Sequence, residues 1–356
     1  MVEPLPHVRE IPPYVPGKPP PARPGLTSYK LSSNENPYPP LPGVLAAAEQ
    51  AVASMNRYPD MGCALLYDAL AAKLGVQVDQ LAAGTGSVAL IYHLLSAYCG
   101  PGDEVVHAWR SFEAYPIAVT AAGAAGVKVP VTADGRHDLD AMAAAITERT
   151  KVVLVCTPNN PTGPALTHAE VATFVAAVPA HVVVVVDEAY LEFVRMADPV
   201  DGLALVRDHA NVVLLRTFSK AYGLAGLRVG YAVAAPEIAG ALRAVALPFG
   251  VSSVAQAAAV ASLAAEDELL ARVDGLVAER ARMVAGITAA GWWVPEPQGN
   301  FVWLGVGDRA AELAAAAGDV GLALRPFAGE GVRVSVGEAE ATDRLLHLLG
   351  SLEPPS

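Results

Sequence analysis

A chain of 356 residues is long enough for one large domain or two moderate ones, and a hydrophobic content of 53% can fill a sizeable core. With 24 Lys and Arg against 36 Asp and Glu, the formal charge of −12 excludes a general nucleic-acid or anionic-membrane surface. The cysteines Cys63, Cys99 and Cys156 lack metal-ligand spacing, and no signal peptide or apolar run of about 18 residues is present, so we expect a cytoplasmic protein without metal, disulfides or membrane span.

Residues 1–28 are rich in proline and glycine and predict an extended N-terminal arm that lies on its own domain or on a partner subunit. From about residue 40, helical and strand patterns alternate. Helices are predicted for LPGVLAAAEQAVASM, CALLYDALAAKLG (closed by Gly75), VALIYHLLSAYC and HAEVATFVAAV. Strands are predicted for QLAAG, EVVHAW, KVVLVC, HVVVVVD, NVVLLRT and LRVGYAVA.

Several of these strands are continuous β-branched runs, such as the five valines at 182–186. Runs that are apolar on both faces are typical of central strands in a mostly parallel sheet covered by helices on both sides, so the predicted fold class is α/β. In open α/β sheets, ligands bind at the carboxyl ends of the strands. We therefore expect the polar segments GTGS, PNNPTG, DEAY and TFSK to converge in space.

The pattern changes at about residue 251. A long Ala-rich helical stretch, up to about residue 291, precedes the predicted strands NFVWLGV, LALRPF and GVRVSVG. These elements predict a smaller α+β domain. The expected division is an arm at 1–28, a large domain at 29–250 and a small C-terminal domain at 251–356.

The glycine loop LAAGTGSVAL is a weak match to the dinucleotide-binding pattern. Asp103 and Glu104 lie at about the right distance for a ribose contact, but they precede the next strand instead of ending it, which disfavours a dinucleotide-binding dehydrogenase. A strand–turn–helix whose backbone N–H groups hold a single phosphate at the helix N-terminus fits better.

Four residues taken one at a time have ordinary explanations. Lys220 could be a solvated surface lysine, Asp187 a helix cap, Asn160 a turn residue and Arg228 half of a salt bridge. Together they suit pyridoxal 5′-phosphate, whose aldehyde needs a lysine, whose ring nitrogen needs a carboxylate and whose phosphate needs a cation and N–H groups. In an apolar pocket the pKa of a lysine falls, and the neutral amine can attack a carbonyl.

The motifs KLSSNENP, NRYPD, CTPNNPTG, VVVDEAYLEF, RTFSKAYGLAGLRVGY, NFVW and GVRVSVG follow one another along nearly the full length. In this series the chain resembles fold type I pyridoxal-phosphate aminotransferases of the histidinol-phosphate aminotransferase family. Through NRYPDMGC, WRSFEAYP and FSKAYGLAGLR it is most similar to the actinobacterial aromatic amino acid (phenylalanine) aminotransferase branch. The resemblance implies that family's mostly parallel sheet with a smaller α+β domain, and a homodimer with shared active sites.

The resemblance also implies how the cofactor is held. Lys220 binds its aldehyde and then moves the proton between substrate Cα and cofactor C4′, Asp187 pairs with the ring nitrogen, and Tyr190 and Asn160 bond the phenolic oxygen. Phe112 stacks on the ring. The implied phosphate contacts are Tyr58 of the neighbouring subunit, the N–H groups of Gly86 and Ser87, Thr217, Ser219 and Arg228.

For the substrate, the resemblance implies that Arg333 clamps the α-carboxylate, with Asn34 nearby. Arg325 in LALRPF lies where the family positions a cation near the distal end of the substrate, where it can serve a phosphate or the γ-carboxylate of 2-oxoglutarate. Tyr14 in the arm either closes over the substrate or simply packs there.

Two departures from the family pattern bear on function. The loop reads GTGS at residues 84–87, where the family often carries an acid pair, so its backbone contacts are better supported than its side-chain contacts. Phe112 stands where histidinol-phosphate enzymes commonly place a tyrosine, which makes the pocket less polar and favours an aromatic side chain.

We therefore predict ping-pong transamination of aromatic L-amino acids, above all phenylalanine, with 2-oxoglutarate as acceptor. Three alternatives are open: histidinol phosphate as the amino donor, decarboxylation of an amino acid phosphate, and a non-catalytic pyridoxal-phosphate-binding module.

Overall fold

The computed structural model describes residues 2–17, 19 and 25–355. Within these residues the strands are, in chain order, β1 Tyr29–Lys30, β2 Leu81–Gly84, β3 Glu104–Trp109, β4 Ala125–Pro130, β5 Thr150–Cys156, β6 Val183–Asp187, β7 Val212–Thr217, β8 Gly230–Ala234, β9 Phe301–Gly307, β10 Leu322–Ala323, β11 Arg325–Phe327 and β12 Glu330–Ser335.

The helices of the described residues are α1 Pro6–Arg9, α2 Pro42–Val52, α3 Ala64–Leu74, α4 Ser87–Tyr98, α5 Ala114–Ala121, α6 Leu139–Ala144, α7 His168–Ala177, α8 Gly202–Asp208, α9 Pro236–Ala244, α10 Ser253–Ala264, α11 Glu266–Ala289, α12 Ala310–Asp319 and α13 Ala339–Gly350. Helical 3-10 turns cover Val78–Gln80, Leu191–Phe193 and Ala225–Leu227. None of the helices in the described ranges has the length and apolar character that crossing a bilayer requires.

The central sheet has seven strands in the order β2-β8-β7-β6-β5-β3-β4. The pairs β3–β4, β3–β5, β5–β6 and β6–β7 are parallel, whereas β8 runs antiparallel to both of its neighbours. The predicted mostly parallel α/β sheet is confirmed.

Alternate side chains of the valine run point into different cores. Val184 and Val186 belong to the hydrophobic cluster on one face of the sheet, and Val183 and Val185 belong to the cluster on the other. The first cluster contains residues of α7, and the second contains residues of α4, α5 and α9. Both faces of the strand are buried, which explains why an uninterrupted apolar run forms it.

The C-terminal part of the chain builds a smaller antiparallel sheet in the order β11-β12-β9. In addition, Tyr29–Lys30 pairs in parallel with Leu322–Ala323, so the start of the segment 29–250 attaches to an element of the C-terminal part. Helix α10 packs against α2 and α3. The division of the chain at residues 28 and 250 stays a prediction.

The Ala-rich helical stretch after residue 251 forms two helices. Helix α10 ends at Ala264 and α11 begins at Glu266, with Ala265 between them at φ −107° and ψ 23°. The first turn of α11 carries Glu266, Asp267 and Glu268. Acidic side chains stabilise a helix N-terminus, which favours a new start at this point.

The sheet brings the predicted site segments to one edge. Strands β5, β6 and β7 run parallel, so Cys156, Asp187 and Thr217 end at the same side. Because β8 is antiparallel, its first residue, Gly230, lies at this edge opposite Thr217. Gly230 also pairs with Gly84 at the end of β2.

Candidate active site

A cavity of about 260 Å³ opens at this edge of the sheet. Its walls contain most of the residues predicted for the site, namely Tyr14, Ser87, Phe112, Asn160, Asp187, Tyr190, Thr217, Ser219, Lys220, Arg228, Arg325 and Arg333. The segments GTGS, PNNPTG, DEAY and TFSK each contribute to it or adjoin it, as their positions after the strands predicted.

Three other predicted residues do not line the cavity. Gly86 lies directly behind Arg228, and Asn34 is buried behind Tyr190, to whose hydroxyl its Nδ2 donates at 3.0 Å. Tyr58 is 81% exposed on the surface, where its ring stacks on Phe249 with centroids 4.6 Å apart.

Lys220 follows β7 and is partly buried at the cavity wall. Its Nζ donates to the carbonyl oxygen of Ser33 at 3.3 Å. Burial lowers the pKa of Lys220 to about 7, and the charge of Arg333 acts in the same direction, while Glu35 opposes the shift. A substantial fraction of the amine is therefore neutral near pH 7, which an amine nucleophile requires.

Asp187 is the last residue of β6 and is only 3% exposed. Its Oδ2 accepts a hydrogen bond from the Tyr115 hydroxyl at 2.8 Å, whereas its Oδ1 is buried and has no partner. Burial raises the pKa of Asp187 to about 6, against the opposing effects of the Tyr115 hydroxyl and Lys220. An unpaired buried carboxylate oxygen is costly, so this position suits a ligand that brings a positively charged N–H group.

The N-terminus of α4 and Arg228 form a cradle for an anion. Gly86 precedes the helix at φ +84°, and a Cβ built on it would lie 2.6 Å from Nη2 of Arg228. The Arg228 Nη1 donates to Ser219 Oγ at 3.3 Å and to the Ala225 carbonyl at 3.0 Å. Among the described carboxylates none forms an ion pair with Arg228. A free cation beside the N–H groups of a helix N-terminus is suited to a phosphate.

Arg333 on β12 is fixed by two acceptors. Its Nη1 donates to Asn160 Oδ1 at 2.6 Å, and its Nη2 donates to the Ser32 carbonyl at 2.7 Å. Burial lowers the pKa of Arg333, and the charge of Arg325 adds to the effect. Because the Asn160 oxygen accepts from a guanidinium, its Nδ2 is the atom left to donate to a ligand.

The loop that carries Asn160 is anchored by its neighbour Asn159, which is almost fully buried. The Nδ2 of Asn159 donates to the Arg110 carbonyl at 3.0 Å and to Thr162 Oγ1 at 2.7 Å, and its Oδ1 accepts from Ser111 Oγ at 2.7 Å. These bonds hold the polar loop without using the ligand-facing groups of Asn160.

Two residues of the segment WRSFEAYP were missed by the sequence reasoning, which singled out Phe112. Tyr115 lies three positions later and supplies the hydrogen bond to Asp187 described above. Phe112 precedes α5, which begins at Ala114, so no helical spacing links it to Tyr115 and no local pattern indicated this contact. Glu113 lines the cavity and accepts from Arg325 Nη2 at 2.8 Å. Its partner lies 212 positions away, and no local pattern indicates it.

Comparisons with known proteins identify the family of the chain. The family model for aminotransferases of class I and II matches residues 28–349. An aromatic amino acid aminotransferase of Streptomyces avermitilis is 59% identical over 94% of this chain and 93% of its own length, and one of Mycobacterium bovis is 50% identical over 96% of each chain.

Among solved structures, the histidinol-phosphate aminotransferase of Sinorhizobium meliloti in complex with pyridoxal-5′-phosphate is 30% identical, with a TM-score of 0.83 over 90% of this chain and 91% of that one. An aspartate aminotransferase of Thermus thermophilus, 24% identical over 92% of each chain, shares the fold with a TM-score of 0.82. By its sequence and its fold, the chain belongs to the class I and II aminotransferases.

Proposed function

We propose that this enzyme transaminates aromatic L-amino acids, phenylalanine above all, with pyridoxal phosphate as cofactor and 2-oxoglutarate as acceptor in a ping-pong reaction. The observation that carries the proposal is one cavity whose wall contains Lys220, Asp187 with its unpaired Oδ1, and Arg228. The aromatic substrate is supported by relatives that are 50–59% identical and bear that name.

The residues present fit the cofactor. Pyridoxal phosphate, when bound, supplies an electron sink for the carbanion at the substrate Cα. Asp187 would hold the proton on the ring nitrogen through Oδ1, while Tyr115 fixes the other oxygen. The phosphate would lie against Arg228, Ser219, Thr217 and the N–H groups of Gly86 and Ser87.

Lys220 would carry the proton between the substrate Cα and the cofactor. A general base works best when its pKa is near the working pH, and burial brings the pKa of Lys220 to about 7. Tyr190 and Asn160 would donate to the phenolic oxygen of the cofactor. The Tyr190 hydroxyl accepts from Asn34 Nδ2, which leaves its own proton free to point at a ligand.

Substrate orientation would depend on Arg333, which would bind the α-carboxylate with its position already fixed by Asn160 and Ser32. Phe112 and Phe327 line the cavity and offer apolar surface to an aromatic side chain. Tyr14 also lines the cavity but is exposed, so in this position it would cover the substrate from the solvent side.

A homodimer is part of the proposal. Large apolar side chains are exposed in the segment around Tyr58 and in the segment of Phe249, on which Tyr58 stacks, namely Met55, Met61, Leu65, Leu247 and Phe249. Exposed large apolar side chains of this kind are typical of protein interfaces. Tyr58 would then reach the phosphate site of the partner subunit. We also keep the division into an arm, a large domain and a small domain as proposed from the sequence.

Histidinol phosphate is the second candidate donor, because Arg325 in the cavity wall could bind a phosphate and because a solved relative carries that name. The test compares kcat/KM for phenylalanine and histidinol phosphate with purified, cofactor-loaded enzyme. We expect the absorbance of the bound cofactor to change on addition of phenylalanine, and kcat/KM to favour phenylalanine. A tenfold or larger preference for histidinol phosphate would make it, and not an aromatic amino acid, the proposed amino donor. A cofactor spectrum that changes with neither compound would refute transamination of both.

A further inference from the structure

An ion pair forms part of the cavity wall. Arg325 Nη2 donates to Glu113 Oε2 at 2.8 Å, and both residues line the cavity. The side chain of Arg325 is 9% exposed, whereas that of Glu113 is 28% exposed. The cation is therefore enclosed, and its carboxylate partner is the more accessible member of the pair.

Arg325 lies next to Arg333, so the Glu113 carboxylate is needed to offset the charge of the second of two neighbouring cations. The two arginines are direct partners across the antiparallel strands β11 and β12, so their side chains lie on the same face of the sheet. Arg333 binds Asn160 Oδ1 and the Ser32 carbonyl, which are neutral acceptors. Glu113 therefore supplies the negative charge that offsets a second cation on this wall.

Glu113 is held in a way that allows it to leave. It occupies the N-cap position of α5, but its side chain makes no capping hydrogen bond to the helix. A rotation of the Glu113 side chain would therefore release Arg325 without uncapping the helix.

The surroundings of the pair are aromatic. The Arg325 guanidinium lies 5.3 Å from the ring centroid of Phe327, and Phe112 precedes Glu113 in the same wall. A paired guanidinium presents a planar and electrically compensated surface on which an aromatic side chain can pack. An unpaired guanidinium at the same position would strongly favour an anionic side chain.

We propose that Glu113 is a specificity-determining residue that exchanges with substrate for Arg325. With an aromatic amino acid in the cavity, Glu113 remains paired with Arg325. With a dicarboxylate in the cavity, the distal carboxylate replaces Glu113 on the guanidinium while Arg333 holds the other carboxylate. This inference rests on the proposed function, because it explains how one cavity serves an apolar donor and a dianionic acceptor in turn.

The energetic reason lies in charge compensation. Leaving a buried cation without a partner is strongly unfavourable, but exchanging one carboxylate for another keeps it paired in both states. Both half-reactions then proceed without exposing an uncompensated charge. Removing the Glu113 carboxylate should shift the binding preference of the cavity towards dianionic ligands, because these ligands would no longer compete with Glu113 for Arg325.

The test measures ligand binding to the cofactor-loaded enzyme by isothermal titration calorimetry. Glutarate represents the dicarboxylate, and 3-phenylpropionate represents the aromatic substrate; neither carries the amine or keto group needed for turnover. In Glu113→Gln we expect the ratio of the two dissociation constants to move at least tenfold towards glutarate, which is about 1.4 kcal/mol. The double variant with Arg325→Gln should lose this gain.

A matched control is Glu330→Gln. Glu330 forms an ion pair with Arg110, whose Nε donates to it at 2.6 Å, and neither residue lines the cavity. This variant also removes a glutamate carboxylate that is paired with an arginine, but outside the cavity, so we expect its ratio of dissociation constants to equal that of the wild type.

The outcomes separate the two proposals. If the wild-type enzyme does not react with phenylalanine, the proposed function fails. If it reacts and the ratio in Glu113→Gln stays within twofold of the wild type, the exchange by Glu113 is refuted. Glu113→Ala removes the carboxylate without leaving an amide against Arg325, and it must shift the ratio in the same direction; a shift towards 3-phenylpropionate in either variant also refutes the exchange.

Discussion

The hydrogen bond from Tyr115 to Asp187 gives a sharp prediction for Tyr115→Phe. This substitution deletes the 2.8 Å bond to Oδ2, while Oδ1 has no hydrogen-bond partner in either protein. A hydrogen bond to a charged group is worth roughly 1.5–3 kcal/mol, and one pKa unit corresponds to about 1.4 kcal/mol. We therefore expect the pKa of Asp187 in the cofactor-free enzyme to rise by roughly one to two units from about 6.

The consequence is a pH-dependent loss of cofactor affinity. Binding requires an ionised Asp187, so the variant must remove a proton from the carboxyl at any pH below its raised pKa. From these pKa values, the dissociation constant of the variant should exceed that of the wild type by roughly tenfold or more at pH 5.5. The ratio should fall to about one at pH 9, where both carboxyls are ionised before binding.

The assay is titration of cofactor-free enzyme with pyridoxal phosphate, followed by absorbance at each pH. Ionisation of the free cofactor and of Lys220 affects both proteins alike and cancels in the ratio. Tyr222→Phe is the matched control. The Tyr222 hydroxyl also donates to a carboxylate, that of Glu266, with a bond length of 2.6 Å, but neither residue lines the cavity. A ratio for Tyr115→Phe that stays constant between pH 5.5 and pH 9 would refute the reasoning.

Further predictions concern the amine, the carboxylate clamp and the phosphate cradle. The pKa of Lys220 is about 7 in the folded chain and higher in the unfolded chain, so between pH 7 and 10 only the unfolded chain binds this proton. As the pH rises through this range, the free energy of unfolding of the cofactor-free wild type, measured in urea, should increase relative to that of Lys220→Met by about 1.4 kcal/mol per pH unit. Arg333→Lys should raise the KM for phenylalanine at least tenfold in steady-state kinetics, because one ammonium cannot replace bonds to Asn160, Ser32 and substrate together. Gly86→Ala should weaken the binding of pyridoxal phosphate at least tenfold in a titration but leave the affinity for pyridoxal unchanged, because the Cβ of the alanine would displace Arg228 from the phosphate site.

Much of the central sheet was predictable because a strand that is buried on both faces needs apolar residues at every position. The valines of β6 alternate between two cores, so every position had to be apolar, and Asp187 stands out at the end of the run. The polar ends of parallel strands necessarily meet at one edge, which is why the cavity could be expected from the order of the segments.

Other features depend on contacts that local sequence does not specify. Alanine favours a helix on both sides of Ala265, so composition gave no break there, and only the acids that follow favour a new helix N-terminus. Tyr115 is a fully buried aromatic residue whose hydroxyl meets Asp187 on another element. The pairing of Glu113 with Arg325 joins two parts of the chain that only the folded sheets bring together.

The central claim is that the amine of Lys220 binds the cofactor covalently in the cavity that Asp187 and Arg228 also line. Borohydride reduction of the cofactor-loaded enzyme, followed by peptide mass spectrometry, tests it directly. We expect one modified peptide, carrying the reduced cofactor on Lys220, and we expect prior incubation with phenylalanine to prevent the modification. Attachment at another lysine, or equal attachment with and without phenylalanine, would contradict the account.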